Sequence, residues 1–359
     1  MRGPRAGFLD RIRQGGVTLS PALAAAFEGV PREIFVPDGF QRRDGTWAKP
    51  VDPDFLEIVY EDDVLVTKVD GRTPVSSSSQ PSLMALMIEA LDVRPGLSVL
   101  EIGAGTGYNA ALLASLGASV ISVDVQKDVA DRARSALTRA GIEGVRVEHG
   151  DGYAGLPGIR VDRVIVTVGV AGVSPRWLEQ LTPEGVLVAP VEHAGTHPVL
   201  RLERDLNARV VSPSGFMIAA GPLTAARPFP APVAPRTLGA LRPYAPGRFA
   251  PPLSPMVYRD LWYAAGVWHR RATHAAVPRR EQSCLMLLDV RGTGGAIILP
   301  DGGVLAGGAE AANYADDAVK IIDRWLETGR PPMQAWRVGL TEGGDPSAPI
   351  LLPTTWELA

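Results

Sequence analysis

Between residues 76 and 221 the chain alternates two apolar patterns, one with helical spacing and one of short buried runs. Leu83, Met84, Leu86, Met87 and Leu91 recur at helical intervals and predict a helix over 82–91. The apolar run 98–102 reads as a buried strand, and 108–116 as the helix that follows it. The alternation continues with a strand at 119–123, a helix at 127–140 ended by Gly141, and strands at 145–148 and 163–168. A helical turn at 177–181 and a strand at 185–191 close the series. Strands alternating with helices predict an α/β fold: a doubly wound, Rossmann-like parallel sheet with its ligand loops at the carboxyl ends of the strands.

The flanks have different patterns. Residues 1–75 read as a helical and extended segment packing on the core: Ser20 and Pro21 form an N-cap and first helical position, Gly29 stops that helix, and 30–37 is extended and bounded by prolines. The core is expected over 76–221. A proline-rich linker follows at 222–256, which includes Pro228-Phe-Pro-Ala-Pro232, and a small α+β C-terminal appendage is expected over 257–359. Within the appendage, helices are expected at 258–268 and 314–326, and strands at 284–290 and 295–300.

Composition adds exclusions. A length of 359 residues suits about two domains, and 46% apolar with 21% charged residues is ordinary for a globular chain with a sizeable core. A net charge of −3 argues against nucleic acid or an anionic membrane as partner. The single cysteine, Cys284, excludes an internal disulfide and reads as a small buried residue. Residues 1–10 show no apolar targeting core, and no run approaches the ~20 apolar residues of a membrane span, so the expected location is cytoplasmic.

The densest chemistry lies in Val99-Leu-Glu-Ile-Gly-Ala-Gly-Thr-Gly-Tyr108, a strand running through a glycine turn into a helix. Gly103, Gly105 and Gly107 let the backbone turn sharply and approach a ligand. A dinucleotide fingerprint would need glycine where Tyr108 stands. Glu101 before the turn would repel a pyrophosphate and favour the cationic groups of S-adenosylmethionine. Asp124 ends the next strand, placed for ribose hydroxyls, and Asp151 ends the one after, placed for the adenine amino group. Each acid alone reads more often as a solvated turn residue than as a ligand; three at successive strand ends, in register with a glycine turn, read as a cofactor set. The expected site comprises Glu101, Gly103, Ala104, Gly105, Thr106, Gly107, Tyr108, Asn109, Asp124, Val125, Gly150, Asp151 and Gly152. The expected cofactor is S-adenosylmethionine, leaving as S-adenosylhomocysteine, and the expected sheet is that of a class I methyltransferase.

Two further stretches stand out: 8–13 with Ala24-Ala-Ala-Phe-Glu-Gly-Val-Pro-Arg-Glu-Ile-Phe-Val-Pro37, and Ser79-Gln-Pro-Ser-Leu-Met-Ala-Leu-Met87. Through them the chain, over roughly its first 220 residues, resembles the protein-L-isoaspartate O-methyltransferase family. The resemblance implies methyl transfer to an aspartyl or isoaspartyl carboxylate in a peptide or protein. It also implies Ser78 and Ser79 as catalytic residues, Ser79 where donor and acceptor meet, with Ser77, Gln80, Val168, Gly169 and Val170 as the substrate wall. A serine within Ser76–Ser79 otherwise reads as a helix cap or loop residue. The departures are Gly71-Arg-Thr-Pro-Val-Ser-Ser-Ser-Ser79 in place of the family's Gly-Gln-Thr-Ile-Ser approach, Ser82 after the proline, and the long tail.

These departures favour a specialised member that methylates an ordinary aspartate in a ribosomally made precursor peptide. The ester would then close to a succinimide (aspartimide) and hydrolyse toward isoaspartate, with the tail gripping the peptide. Three other readings stand beside it: a repair methyltransferase for isoaspartate, a small-molecule methyltransferase, and a non-catalytic cofactor-binding partner subunit. His193 and His197 read as surface or structural, with no metal-ligand spacing around them; His269 and His274 read as a solvated face. Trp262, Tyr263 and Trp268 read as core or interface.

Overall fold

The computed structural model describes residues 5–224, 240–277 and 283–359; the Pro228–Pro232 stretch lies outside them. The N-terminal part comprises α1 (Phe8–Gln14), α2 (Pro21–Gly29), β1 (Phe40–Gln41), β2 (Trp47–Ala48), α3 (Phe55–Val59), β3 (Leu65–Asp70) and β4 (Thr73–Ser78). Its strands form a four-stranded sheet in the order β2-β1-β3-β4. Ser20 caps α2 by accepting from Leu23 N–H, with Pro21 at the first helical position.

The core follows as α4 (Pro81–Leu91), β5 (Ser98–Ile102), α5 (Tyr108–Ser115), β6 (Ser119–Asp124), α6 (Lys127–Arg139), β7 (Val145–His149), β8 (Val161–Val166), α7 (Pro175–Gln180), β9 (Leu181–Pro190), β10 (Val199–Leu202) and β11 (Asn207–Ser212). Beyond it come β12 (Arg242–Ala245), α8 (Pro255–Trp268), β13 (Ala272–Ala275), β14 (Cys284–Leu288), β15 (Gly295–Ile298), β16 (Val304–Gly307), α9 (Ala311–Glu327), β17 (Trp336–Asp345) and β18 (Ala348–Leu358).

Five parallel strands, β9-β8-β5-β6-β7, make the doubly wound half of a nine-stranded sheet. The other half is antiparallel and runs β18-β17-β11-β10 into β9. The expected appendage is therefore not wholly apart. Its last hairpin extends the central sheet, pairing Val338 with Ala208 and Arg337 with Arg209. The physical reason is an unpaired β11 edge, whose first three residues β17 pairs. The remaining strands form a separate antiparallel sheet, β12-β16-β15-β14-β13.

Two apolar cores enclose the central sheet. One joins α1, α2, α4, α5 and α6 to one face. The other is continuous from Leu100, Val164 and Leu187 through Trp177 to Tyr258, Trp262, Ile322 and Trp325, so the C-terminal helices share the core of the main sheet. Cys284 is buried, as its apolar run predicts, in a smaller third cluster with Met286, Leu288 and Ile297. Among the described residues no helix is long and apolar enough to cross a membrane, and no cluster of His, Cys, Asp and Glu could hold a metal.

Candidate active site

β5 delivers the chain into the glycine turn. Gly103 stands at φ +99°, where a Cβ would lie 2.7 Å from Thr167 Oγ1; such a conformation and such a contact leave room for glycine alone. Thr167 Oγ1 donates to Gly103 O at 2.6 Å, and Gly103 N–H donates to Val123 O at 2.8 Å. The turn is thus pinned between β8 and β6. Asp124 braces it from the next strand end: Oδ2 accepts from Gly105 N–H at 3.1 Å and Oδ1 from Gln126 N–H at 2.9 Å. Burial pushes the Asp124 carboxyl up, and those backbone donors oppose the shift. Each carboxylate oxygen still has a lone pair for a ligand. Asp151 is exposed on the third strand end, its Oδ1 accepting from Tyr153 N–H at 2.9 Å. α7 supports that loop, with Trp177 Nε1 donating to Gly152 O at 2.8 Å and Ser174 Oγ to Tyr153 O at 2.7 Å.

Glu101 has a different place from the one its charge suggests. It is fully buried behind the turn, accepting from Asn109 Nδ2 at 2.7 Å and from Ser122 Oγ. Burial pushes its pKa up to about 7, against the two hydrogen bonds. Its electrostatic attraction for a cationic ligand is replaced by an indirect role. It fixes the Asn109 amide, whose Oδ1 has no partner among the described residues although Asn109 lines the cleft.

The cleft spans about 1170 Å³, beyond the ~300–1,000 Å³ typical of a site for one small ligand. One wall carries Ala104, Gly105, Thr106, Asp124, Val125 and Asp151. The cleft is lined as well by Ser77, Ser78 and Ser79 of the β3–β4 hairpin, by Val168 and by the segment 216–223. Ser78 is 2% exposed, and its Oγ has no partner among the described residues. The hairpin is held over the cofactor wall by Lys68, whose Nζ donates to Gln126 Oε1 at 2.8 Å and pairs with Asp128 at 2.7 Å. Gln126 Nε2 in turn donates to Val75 O at 2.8 Å.

Several expected residues stand behind this surface rather than on it. Gly107 caps α5 at φ +85°, with the Ala133 backbone where a Cβ would go. Gly150 N–H binds Asp124 O at 3.0 Å. Gln80 Nε2 donates to Asp62 Oδ2 at 3.0 Å, at the start of α4. Gly169 packs against His197 and Val170 is fully buried. Tyr108 reaches the cleft but sends its ring into the N-terminal core, against Phe27 and Phe35.

Two supporting residues carry no role in the sequence reading. Arg32, inside Val-Pro-Arg-Glu, is fully buried and donates to Val59 O, Glu61 O, Asp63 O and Ser79 O at 2.9–3.1 Å. Burial lowers its pKa to about 10. It locks Ser79 to α3 and the β3 approach. Asp62 accepts from Ser82 N–H at 2.7 Å and so caps α4 from a distance. Away from the cleft, His193 is structural: it stacks on Tyr263, its Nε2 lies 2.8 Å from Tyr263 O, and burial lowers its pKa to about 4.

A glycine turn closing a doubly wound half-sheet, with acids at successive strand ends and a serine strand at the same cleft, defines a class I methyltransferase. The chain belongs to the protein-L-isoaspartate(D-aspartate) O-methyltransferase family, whose profile matches residues 5–225. A protein-L-isoaspartate O-methyltransferase of Thermotoga maritima is 39% identical over 177 residues, 48% of this chain and 51% of that protein, so the match spans about half of that relative. One from Gloeobacter violaceus is 33% identical over 223 residues, 61% of this chain and 97% of that protein. A solved protein-L-isoaspartate O-methyltransferase, 24% identical, superposes with a TM-score of 0.55 over 98% of this chain and 100% of its own. The fold of the C-terminal part is therefore shared with that protein.

Proposed function

We propose that this chain transfers a methyl group from S-adenosylmethionine to the side-chain carboxylate of an isoaspartyl residue in a protein or peptide. The observation that carries this is a cleft too large for one small ligand, lined both by the glycine turn and by Ser77, Ser78 and Ser79. The residues fit the cofactor on the structure's own terms: a turn in which Gly103 admits no Cβ, and an unpartnered Asn109 Oδ1 at the cleft, suited to an ammonium group. Asp124 would take the ribose hydroxyls, and Asp151 with Val125 the adenine. S-adenosylmethionine supplies an activated methyl on a sulfonium, which departs as the neutral thioether of S-adenosylhomocysteine.

The acceptor carboxylate is already anionic at neutral pH and needs no base. One of its oxygens forms the new O–CH3 bond as the S–CH3 bond breaks. The work of the chain is to desolvate and aim that oxygen. Ser78 Oγ and Ser79 Oγ would hold the carboxylate; Arg32 fixes Ser79 through its carbonyl, and Asp62 anchors Gln80 and Ser82 just after it.

A second reading, methylation of an ordinary aspartate in a dedicated precursor peptide on the way to succinimide, is favoured by the altered β4 segment with Pro74 and its serine run, and by Ser82 in the first turn of α4. Its other support, the long tail, is removed by the solved isoaspartate methyltransferase that superposes over nearly the whole chain. The test is transfer of a labelled methyl group to an isoaspartyl peptide as a base-labile ester that releases methanol. Binding of S-adenosylhomocysteine without ester formation on any peptide would instead make the chain a cofactor-binding partner.

A further inference from the structure

Gln126 joins the parts of the cleft that carry the donor and the acceptor. Its backbone N–H donates to Asp124 Oδ1 at 2.9 Å, in the loop read above as the ribose site. Its Oε1 accepts from Lys68 Nζ of β3 at 2.8 Å, and its Nε2 donates to Val75 O of β4 at 2.8 Å. Lys68 also pairs with Asp128, in the first turn of α6, at 2.7 Å. The hairpin is shaped for these contacts. β3 and β4 pair Val66 with Ser77, Lys68 with Ser76 and Val69 with Pro74, so Thr67 and Val75 each drop out of the register. Such bulges bend a strand and re-aim its groups; here the carbonyl of the bulged Val75 goes to Gln126. At the far end of the serine run Arg32 holds Ser79 O at 2.9 Å. Ser76, Ser77 and Ser78 therefore lie between two pins, and one of them starts from the cofactor loop. The bulged residue falls within 71–79, where the chain departs from the family's Gly-Gln-Thr-Ile-Ser approach.

We propose that Gln126 is a positioning residue for methyl transfer, holding the serine run at a fixed place relative to the bound cofactor. This rests on the methyl-transfer reading above and deepens it. An amide suits the task because one side chain accepts from Lys68 and donates to Val75 O, where a carboxylate could only accept. Both ends of that amide are engaged by the chain itself, so Gln126 acts through the strand and not on the reacting atoms. The reaction depends on aligning one carboxylate oxygen with the methyl carbon, and a misplacement of about 1 Å can cost such a step roughly a hundredfold. Loosening the strap thus slows transfer between two ligands that both remain bound.

The test is Gln126→Leu in the full chain, which removes both side-chain bonds and keeps the backbone N–H that braces Asp124. Single-turnover transfer from saturating S-adenosylmethionine to a saturating isoaspartyl peptide is expected to slow roughly tenfold to a hundredfold. Kd for S-adenosylhomocysteine and KM for the peptide are expected to stay at their parent values. Lys68→Met loosens the strap from its other end and should show the same split with a smaller fall, and it carries the test if Gln126→Leu does not fold. Arg132→Gln removes another partner of Asp128 and leaves Lys68 in place; it is expected to match the parent. A parent-like rate in Gln126→Leu and Lys68→Met would overturn the proposal. So would a loss of S-adenosylhomocysteine affinity as large as the loss of rate, which would make Gln126 a cofactor ligand, or an equal slowing by Arg132→Gln. Each of these leaves the methyltransferase reading intact. A parent chain that methylates no isoaspartyl peptide would overturn that reading and this one with it.

Discussion

Glu101 shows how a single side chain sets the state of the site. Its carboxyl, fully buried, has its pKa raised from an ordinary 4.5 to about 7. The folded state therefore favours the protonated form. The stability this gives is fully present below about pH 4.5 and is lost by about pH 7. Glu101→Gln should flatten that slope, and the stability gap between parent and variant should change by a few kcal/mol (about 1.4 per pH unit) across that window. Denaturant titrations at several pH values would measure it; parallel curves would mean that Glu101 titrates normally. Gly103→Ala forces a Cβ against Thr167 at positive φ and should cost about 1–3 kcal/mol. It should also weaken S-adenosylhomocysteine binding by calorimetry, whereas an unchanged Kd would show that the turn is not the cofactor cradle. Ser78→Ala should leave stability close to the parent and lower kcat on the isoaspartyl peptide more than tenfold. Loss of stability with kcat intact would mark Ser78 as packing only.

At the scale of elements, α4 depends on a residue far from it in sequence. Asp62 caps its amino end and also holds Gln80, so Asp62→Ala should cost about 1 kcal/mol in chemical denaturation and raise KM for the peptide by loosening Ser79. A stability loss with peptide KM unchanged would separate the cap from the site. This dependence explains what could be read in advance. The strand at 98–102 was legible because a β-branched apolar run is bounded by a glycine on each side, and its local signals agree with its place in the sheet. The same holds for the glycine turn and for the acids at 124 and 151. The β3–β4 hairpin was not legible, since its second strand is Thr-Pro-Val-Ser-Ser-Ser, with a proline and a serine run that carry no strand propensity. Neither were β10, β11 and the 216–223 wall, which are held by partners outside themselves, such as β17 for β11 and Gly169 for the wall, rather than by local periodicity. The direction of Glu101 failed for a related reason: its position marks the turn, but Asn109 and Ser122, brought in by folding, decide where its charge goes.

At the scale of the whole molecule, the C-terminal part is coupled to the site through the sheet. Tyr153 OH, in the Asp151 loop, donates to Pro349 O at 2.9 Å, and Val173 bridges to Leu351. A chain shortened to residues 1–335 would uncover the β11 edge and remove Trp336, Val338, Leu340, Ile350 and Leu351 from the shared core. It is expected to aggregate or bind S-adenosylhomocysteine more weakly; a soluble, fully active short chain would show that the hairpin is dispensable. The antiparallel extension is thus part of the architecture that shapes the cleft. The central claim, a cleft that aims an isoaspartyl carboxylate at a methyl donor, is tested most directly by kcat/KM on matched peptides that differ only in isoaspartate or aspartate at one position. The account predicts methyl-ester formation on the isoaspartyl peptide with kcat/KM at least a hundredfold above its aspartyl twin. Turnover of the aspartyl peptide alone, with net loss of water as succinimide forms, would contradict it and establish the tailoring of an ordinary aspartate instead.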